Sequence, residues 1–313
     1  MKSLSLFIAM LWSLSTFAIN CGDTITSKTV LEEDLDCSSY QGFAALTLRG
    51  DAILQGRDHK IISPNTSVGI YAEGNDIRVR RTIIEVSESA IGVMAYNVSK
   101  MVVNNSDISN ARIGVDYYTE DEFACDRLRI SNSTLVNNTN AAKVNAPNCE
   151  YTPRFVNNDF SSSKGFALDL VSKKIRIVEK QGNNFYGSAN GLLLSASERV
   201  TVAGIDLSDD QIAGTSVYVY SSNEVRLRNL TLGNTEEAIH IYDSSNIKIR
   251  KASISNTDIG IRVTNDQSDT DLLIARSDVS GDIALLVSGY GSAVFNQVEL
   301  KNSVFDGSMI ENY

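Results

Sequence analysis

Two aspartates and a histidine stand at matching positions of short alternating segments, where their side chains could carry out acid–base chemistry. Asp116 and Asp169 occupy equivalent places two repeats apart, and His240 lies between two isoleucines further along the chain. Side chains two repeats apart in stacked strands are separated by about 10 Å, near the upper limit for the carboxyl pair of an inverting glycosidase. Histidine can carry a proton near neutral pH. The sequence therefore predicts Asp116, Asp169 and His240 as candidate catalytic residues, with Asn145 between the two aspartates.

A second set of outward residues is suited to holding a sugar. Tyrosine rings can cover the C–H groups of a sugar, and histidine, arginine and carboxylate groups can fix its hydroxyls. The residues predicted to bind carbohydrate are Tyr118, Tyr218, Tyr220, His240, Tyr242 and Arg262. Tyrosines also occur singly on solvated strands because they favour extended backbone. Their clustering on three consecutive repeats, from Tyr218 to Arg262, is therefore what favours a binding groove.

These side chains can share one face only if short strands stack on one another. Residues 238–256 form one complete unit, in which Ile239 and Ile241 alternate with His240 and Tyr242 before a polar corner and two further alternating runs. A period of two turns one set of side chains into a core and the other into solvent. Asn, Asp, Ser and Gly at the corners tolerate tight turns and positive φ. Three strands and three corners make a triangular coil, which can bury its apolar edge only against copies of itself.

Copies of this unit recur along the chain at an interval of about 22 to 25 residues, which is typical of solenoid arrays. The matching core positions are predicted at Leu48, Ile70, Val93, Val115, Val144, Leu168, Leu192, Val217, Ile239, Ile261 and Leu285. No window shows an apolar stripe of helical period, so a helical repeat is excluded. The predicted fold is an all-β parallel β-helix solenoid of about ten to eleven three-stranded coils.

The two ends of the chain differ from the repeats. Lys2 precedes an apolar run that extends from Leu4 to Phe17, and small residues follow at the positions that a signal peptidase reads. The run is too short to span a bilayer. The chain is expected to be secreted, periplasmic or at the cell surface, with no membrane span. The predicted divisions are a signal peptide (1–18), an N-terminal cap (19–44), the β-helix (45–308) and a C-terminal tail (309–313).

Four cysteines in an exported chain favour disulfides, for which three pairings are open. Cys21 and Cys37 flank the predicted cap, and Cys125 and Cys149 flank the longest repeat, so each of these pairs is expected to staple its segment. The wide spacings and the absence of a neighbouring histidine argue against a metal site. The net charge of −10 argues against nucleic acid, because phosphate binding needs a basic stripe.

The segment CGDTITSKTVLEEDLDC, followed by ALTLRGDAILQGRDHKIIS and by coils of the GIYAEGNDIRV type, resembles exported right-handed parallel β-helix proteins. These belong to the pectate-lyase-like superfamily, and the resemblance covers about residues 21–308. It implies a right-handed β-helix and a carbohydrate partner, since the superfamily includes polysaccharide lyases, glycoside hydrolases, uronan epimerases and carbohydrate-binding periplasmic proteins. The chain lacks the Asp-Pro-His-Asp motif that mannuronan epimerases show. A pectate lyase would also imply calcium held by carboxylates on neighbouring coils.

Two function classes therefore stay open, beside a purely structural role without any sugar. The first is an exported carbohydrate-binding or surface-adhesive protein that uses the outward face of its first parallel sheet and has no cofactor. The second is a polysaccharide lyase or glycoside hydrolase acting on an extracellular glycan, for which calcium is expected only if it is a lyase.

Other surfaces suggest partners as well. The chain is expected to be a monomer, or to self-associate weakly through its C-terminal end, where only Met309 and Ile310 offer an apolar plug. Basic residues on the second strand of several coils fit solvated charges that keep strands from aggregating, and they could also meet an acidic glycan. They are Arg78, Arg80, Arg81, Arg226, Arg228, Lys248 and Arg250.

Overall fold

The structure is a computed structural model, and it shows a solenoid of parallel strands with about eleven turns and, within the residues it describes, no helix. The described residues are 18–120, 123, 125–149, 151–178, 181–266, 270–289 and 295–312. The predicted all-β parallel solenoid is therefore confirmed. The predicted signal peptide, apart from Ala18, lies outside the described residues. In the part of the chain that is described, no helix could cross a membrane.

The strands are mostly short, and the longest ones continue around a corner of the coil. In chain order they are β1 (Thr24–Ile25), β2 (Lys28–Val30), β3 (Leu35–Asp36), β4 (Ala44–Gly50), β5 (Ile53–Gln55), β6 (Lys60–Ser63), β7 (Val68–Arg80), β8 (Ile83–Val86), β9 (Ile91–Asn104), β10 (Asp107–Ser109), β11 (Ile113–Tyr118), β12 (Arg127–Ser131) and β13 (Asn140–Ala146). They continue as β14 (Arg154–Val156), β15 (Phe166–Ser172), β16 (Lys174–Val178), β17 (Asn190–Ser195), β18 (Arg199–Ala203), β19 (Thr215–Tyr220), β20 (Val225–Tyr242), β21 (Ile247–Asn265), β22 (Thr270–Ala275), β23 (Asp278–Gly289), β24 (Phe295–Lys301) and β25 (Val304–Asn312).

Each strand pairs in parallel with the matching strand one coil before and one coil after it, which gives the solenoid three sides. The first sheet contains β1, β4, β7, β9, β11, β13, β15, β17, β19, β20, β21, β23 and β25. The second sheet runs from β2 to β14 through β5, β7, β9 and β12, and again from β16 to β24 through β18, β20, β21 and β22. The third sheet contains β3, β6, β8 and β10. Long strands such as β20 turn a corner and serve more than one sheet.

The core is a set of columns of apolar side chains that run along the solenoid axis. Ile239, Ile241 and Ile261 are completely buried, as their alternation predicts. The register aligns one column through Leu46, Ile70, Val93, Val115, Ala142, Leu168, Leu192, Val217, Ile239, Ile261 and Leu285. Two predicted members, Leu48 and Val144, are wrong by two residues. Both point inward as well, because a shift of two residues keeps a side chain on the same side of the strand and moves it only to the adjacent inward column of the same coil.

Asparagines close the corners in two different ways. Outer corner asparagines, such as Asn110, Asn137 and Asn256, adopt left-handed backbone with φ of 61°, 58° and 52°. These residues supply the sharp turns between strands, because asparagine tolerates positive φ better than most residues.

Another row of asparagines lies inside the solenoid. Asn158 and Asn183 are buried at equivalent corners of successive coils, while Asn138 is buried at a different corner, where its side chain accepts a hydrogen bond from Ala111 N at 2.8 Å. The side chain of Asn158 accepts a hydrogen bond from Ser133 N at 3.1 Å and donates one to Ile130 O at 3.0 Å. Its own backbone N–H donates to Asn183 Oδ1 at 3.0 Å. This inner amide ladder satisfies backbone groups at a corner where the strand ladder stops.

The first coil is held to the second by paired strands, and a disulfide joins its own two ends. Residues of the predicted cap form β1, β2 and β3, which pair with β4, β5 and β6. Cys21 is bonded to Cys37 with their Cα atoms 5.6 Å apart, and Cys125 is bonded to Cys149 in the longest coil. At the other end, residues 309–312, predicted as a tail, extend β25, where Ile310 pairs with Leu286.

The inner amide ladder gives a stability prediction. Asn158→Leu should lower the free energy of unfolding by about 2 to 5 kcal/mol, because Ser133 N–H and Ile130 C=O would stay buried without partners. Equilibrium urea unfolding followed by circular dichroism measures the change. Thr201→Leu, which places the same side chain on the outward side of β18, is the control and should stay within about 0.5 kcal/mol. Equal stability of the two variants would contradict a structural role for the ladder.

Candidate functional site

The outward face of the first sheet carries two rows of side chains that the register places side by side. The first row is Thr47, Tyr71, Met94, Asp116, Lys143, Asp169, Leu193, Tyr218, His240, Arg262 and Leu286. The second row is Arg49, Glu73, Tyr96, Tyr118, Asn145, Val171, Ser195, Tyr220, Tyr242 and Thr264. Because neighbours in a row are one rung apart, residues distant in sequence lie about 4.8 Å from one another along the axis.

The densest part of this face is an aromatic cluster, formed by Phe166, Tyr218, Tyr220, His240 and Tyr242. The rings of Tyr218 and His240 stack with centroids 4.6 Å apart, and those of Tyr220 and Tyr242 stack at 5.6 Å. Tyr218 also meets Tyr220 edge to face at 6.5 Å and stacks on Phe166 at 6.4 Å. Four of the residues predicted to bind carbohydrate therefore form one continuous surface of rings.

Phe166 is a member of the cluster that the sequence pattern missed. It begins β15, two residues before the core position Leu168, and so stands at a corner in the repeat. The signal that could have found it is a large aromatic residue directly after Gly165 at a corner where the adjacent coils carry Asn140 and Asn190.

Glu237 binds both His240 and Arg262, and we name these three residues the carboxylate clamp. The clamp holds His240 in place within the aromatic cluster. Glu237 Oε2 lies 3.0 Å from His240 Nδ1, and its Oε1 lies 2.6 Å from an Nη atom of Arg262. Burial raises the pKa of Glu237, but the hydrogen bond from His240 and the charge of Arg262 outweigh it, so the pKa of Glu237 is lowered. Glu237 was not predicted, because it precedes the alternating run at a corner position. The contact with Glu237 fixes the orientation of the His240 imidazole ring, which stacks on the ring of Tyr218.

Tyr242 is tied down by its hydroxyl, while its neighbours are not. The Tyr242 hydroxyl donates to Asp266 Oδ2, and this hydrogen bond raises the pKa of Tyr242 to about 12. The hydroxyls of Tyr218 and Tyr220 have no hydrogen-bond partner among the described residues. Tyr220 is 42% exposed, so its ring and hydroxyl can both reach a ligand.

Tyr118, the remaining predicted sugar-binding tyrosine, lies elsewhere on the face. It stacks on Tyr96 with ring centroids 5.7 Å apart, and the Tyr96 hydroxyl bonds Glu120. Four rungs separate Tyr118 from Tyr220 in the second row, which corresponds to about 19 Å along the axis. The structure therefore does not bring Tyr118 into the aromatic cluster.

The two candidate catalytic aspartates lie in the first row with a lysine between them. Asp116 pairs in register with Lys143, and Lys143 pairs with Asp169. The prediction that Asn145 lies between the aspartates is wrong, because the register of β13 is displaced by two residues from the predicted one. Asn145 instead pairs with Tyr118 in the second row.

Both candidate catalytic aspartates are largely shielded from solvent, and this raises their pKa values. Lys143 Nζ lies 3.7 Å from Asp169 Oδ2, and Asp169 is 8% exposed. Loss of solvent raises the pKa of both Asp116 and Asp169, although the lysine ammonium opposes the shift. In the same row only Leu193 stands between Asp169 and Tyr218, so the carboxyl groups adjoin the aromatic cluster.

Comparison with known proteins gives one family and one solved structure. The family model described as "Periplasmic copper-binding protein (NosD)" matches residues 22–274. Among solved structures, the A-module of the mannuronan C-5 epimerase AlgE4 from Azotobacter vinelandii is similar, with a TM-score of 0.50 and 11% identity. The similarity covers 94% of this chain and 91% of that module, and at this identity it shows the fold alone. No curated protein matches the chain in sequence.

The carboxylate clamp can be tested by a matched pair of substitutions. Glu237→Gln should lower the free energy of unfolding by about 1 to 3 kcal/mol, because Arg262 and His240 would lose their shared acceptor in a poorly solvated place. Glu224→Gln is the control, since Glu224 also binds two side chains, Arg199 and Arg226, but lies in the open. Urea unfolding should show a much smaller loss for Glu224→Gln, and equal losses would contradict a buried clamp.

The pH dependence of stability tests the burial of Asp169. A raised pKa means that the stability contributed by the protonated carboxyl is complete below the unfolded value of 3.8 and is lost as the pH rises through the folded value. Asp169→Asn cannot ionise, so it should become more stable relative to the natural chain as the pH rises from about 3 to 7. Asp76→Asn should show the opposite trend, because the hydrogen bond from Arg78 lowers the pKa of Asp76. Urea unfolding across this range measures both, and trends of the same sign would contradict the assignment.

Proposed function

The chain belongs to the periplasmic NosD family, and from this premise we propose that it is an exported protein that binds a glycan through its aromatic cluster. The observation that carries the proposal is the unbroken surface of Tyr218, Tyr220, His240 and Tyr242 on adjacent rungs. Aromatic rings supply flat apolar area for sugar C–H groups at low entropic cost. Polar contacts at the edge of the surface come from the hydroxyls of Tyr218 and Tyr220, which have no hydrogen-bond partner among the described residues, and from the remaining N–H groups of Arg262.

The arrangement of the cluster suits a polymer rather than a single sugar. Its stacked pairs lie along the solenoid axis, so the surface continues from Phe166 through Arg262 without a wall at either end. The carboxylate clamp fixes His240 and Arg262 before any ligand arrives, and groups that are already ordered lose little entropy on binding. A chain of sugars lying along the axis would contact several rungs at once.

The description of the family names copper, and the described residues do not fit a copper site. Copper in proteins is held by thiolate, thioether and imidazole groups. All four cysteines are in disulfides. His59 lies at a corner 3.3 Å from Asp34, and His240 is held by Glu237. No group of three or more His, Cys, Asp or Glu residues that could hold a metal ion occurs within the described residues, and the glycan-binding proposal uses no metal.

A catalytic function is the second candidate, and the row of Asp116, Lys143 and Asp169 is the observation that favours it. Burial favours the protonated form of both carboxyl groups, as a general acid requires. A lysine between two such groups could take part in proton transfer at the sugar ring. His240 lies two rungs from Leu193 in the same row. These groups would act on a polysaccharide that is bound across the aromatic cluster.

The glycan-binding proposal predicts the behaviour of two matched tyrosine pairs. Tyr220→Ala/Tyr242→Ala should weaken binding of the best ligand from a panel of neutral and acidic polysaccharides by about tenfold or more, because two central rings are removed. Tyr96→Ala/Tyr118→Ala removes an equally stacked pair on the same face about four rungs away and should change binding little. Titration calorimetry measures both affinities.

Two outcomes of this experiment would contradict non-catalytic binding through the cluster. Unchanged affinity of Tyr220→Ala/Tyr242→Ala would remove the cluster as the binding surface. Release of unsaturated or reducing ends by the natural chain, with loss of release in Asp169→Asn, would favour the lyase or hydrolase instead. Repeating the incubation with added calcium and with a chelator separates the lyase from the hydrolase.

A further inference from the structure

A different face of the solenoid carries a groove lined by cations. Two cavities of about 310 Å³ and about 620 Å³ adjoin on the second sheet, and Arg129 lines both. The second cavity lies where residues of β14 and β16 come together. We name this surface the basic groove, and its cationic residues are Arg78, Arg80, Lys100, Arg127, Arg129, Arg154 and Arg176.

Like charges stand directly opposite one another in this groove. Arg129 pairs in register with Arg154, and Lys100 pairs in register with Arg127. Like charges at directly opposite positions of adjacent strands are destabilising. The arrangement therefore opposes stability unless an anion lies between the side chains.

The described residues supply few counter-charges. Arg78 pairs with Asp76, and Lys100 lies 3.6 Å from Asp126. The remaining arginines of the basic groove have no ion pair or hydrogen-bonded carboxylate within the described part of the chain. Because the whole chain carries a net charge of −10, this concentration of cations is a local segregation of charge rather than the average of the surface.

We propose that the basic groove binds an acidic polysaccharide, with carboxylates of successive sugars held by Arg129 and Arg154. The guanidinium group matches a carboxylate in a two-pronged hydrogen bond, which favours arginine wherever carboxylates are recognised. Arg78, Arg129 and Arg154 stand in one row whose rungs are about 4.8 Å apart. A polyuronate carries one carboxylate per sugar and can therefore meet this row repeatedly.

The aromatic content of the groove favours a polysaccharide over a single-stranded nucleic acid. Binding of single strands depends on several aromatic side chains on which successive bases stack. Tyr151 is 59% exposed at the larger cavity, whereas Phe155 and Phe185 in the same lining are buried. One exposed ring can cover a sugar, but it offers no continuous platform for bases.

The test compares two pairs of arginines that are both opposed in register. Arg129→Gln/Arg154→Gln should weaken binding of polygalacturonate by about tenfold or more at fixed salt, because both carboxylate partners are removed. Arg228→Gln/Arg250→Gln makes the same change in net charge on an in-register pair outside the groove and should keep the affinity within about threefold. Fluorescence anisotropy with labelled polygalacturonate measures Kd. The methyl-esterified polymer, which keeps the backbone and loses the charge, should not bind.

Several results would overturn this proposal. They are absence of polygalacturonate binding by the natural chain, equal binding of the esterified polymer, equal loss in both arginine pairs, and equally tight binding of single-stranded DNA. Circular dichroism shows whether each variant folds, and Arg80→Gln tests the smaller cavity if the double variant does not. The groove does not depend on the aromatic cluster, so Tyr220→Ala/Tyr242→Ala should keep this binding. Loss of polygalacturonate binding in Tyr220→Ala/Tyr242→Ala, with no loss in Arg129→Gln/Arg154→Gln, would also overturn the proposal.

Discussion

The parallel in-register stacking of coils is the constraint on which every other feature of this molecule depends. Each rung donates its backbone hydrogen bonds to the next, so a coil has few ladder partners of its own and is stable only between two neighbours. Side chains one repeat apart are thereby held about 4.8 Å apart on the same face. Stacked rings, such as those of Tyr218 and His240, follow from this one geometry. So do like charges at directly opposite positions, such as those of Arg129 and Arg154.

The same stacking decides what the inside of the solenoid can contain. Apolar columns fill most of it, and the inner amide ladder of Asn158 and Asn183 fills a corner where the strand ladder is interrupted. Each amide meets a carbonyl of one coil and an N–H of another, so a polar group is buried without losing its hydrogen bonds. Interior positions are therefore fully used by structure, and residues free to take part in binding stand on the outward faces.

The alternation of side chains is enough to predict the fold and which side chains point outward, but not which side chains of neighbouring coils lie side by side. Period two defines inward and outward without ambiguity, so the exposure of Tyr218, Tyr220 and His240 could be predicted. The alternation does not reveal how many residues an irregular coil contains. In the coil between Val115 and Ala142 the predicted register was therefore displaced by two residues, and Asn145 was predicted at the position that Lys143 occupies. Phe166 and Glu237 were missed for a related reason. Both occupy corners, where the chain direction and not the alternation decides what a side chain contacts.

The two outward faces differ in a way that one ligand alone does not explain. The first sheet presents rings beside Glu237, whose carboxylate binds the guanidinium group of Arg262 and the imidazole ring of His240. The second sheet presents Arg129 and Arg154, which carry like charges at directly opposite positions and, among the described residues, pair with no carboxylate. Rings recognise the shape of a sugar, while unpaired guanidinium groups recognise negative charge wherever it lies. Together, the two proposals describe a solenoid that holds one glycan chain by its shape and another by its charge, and so joins polymers outside the cytoplasm rather than enclosing a single small ligand.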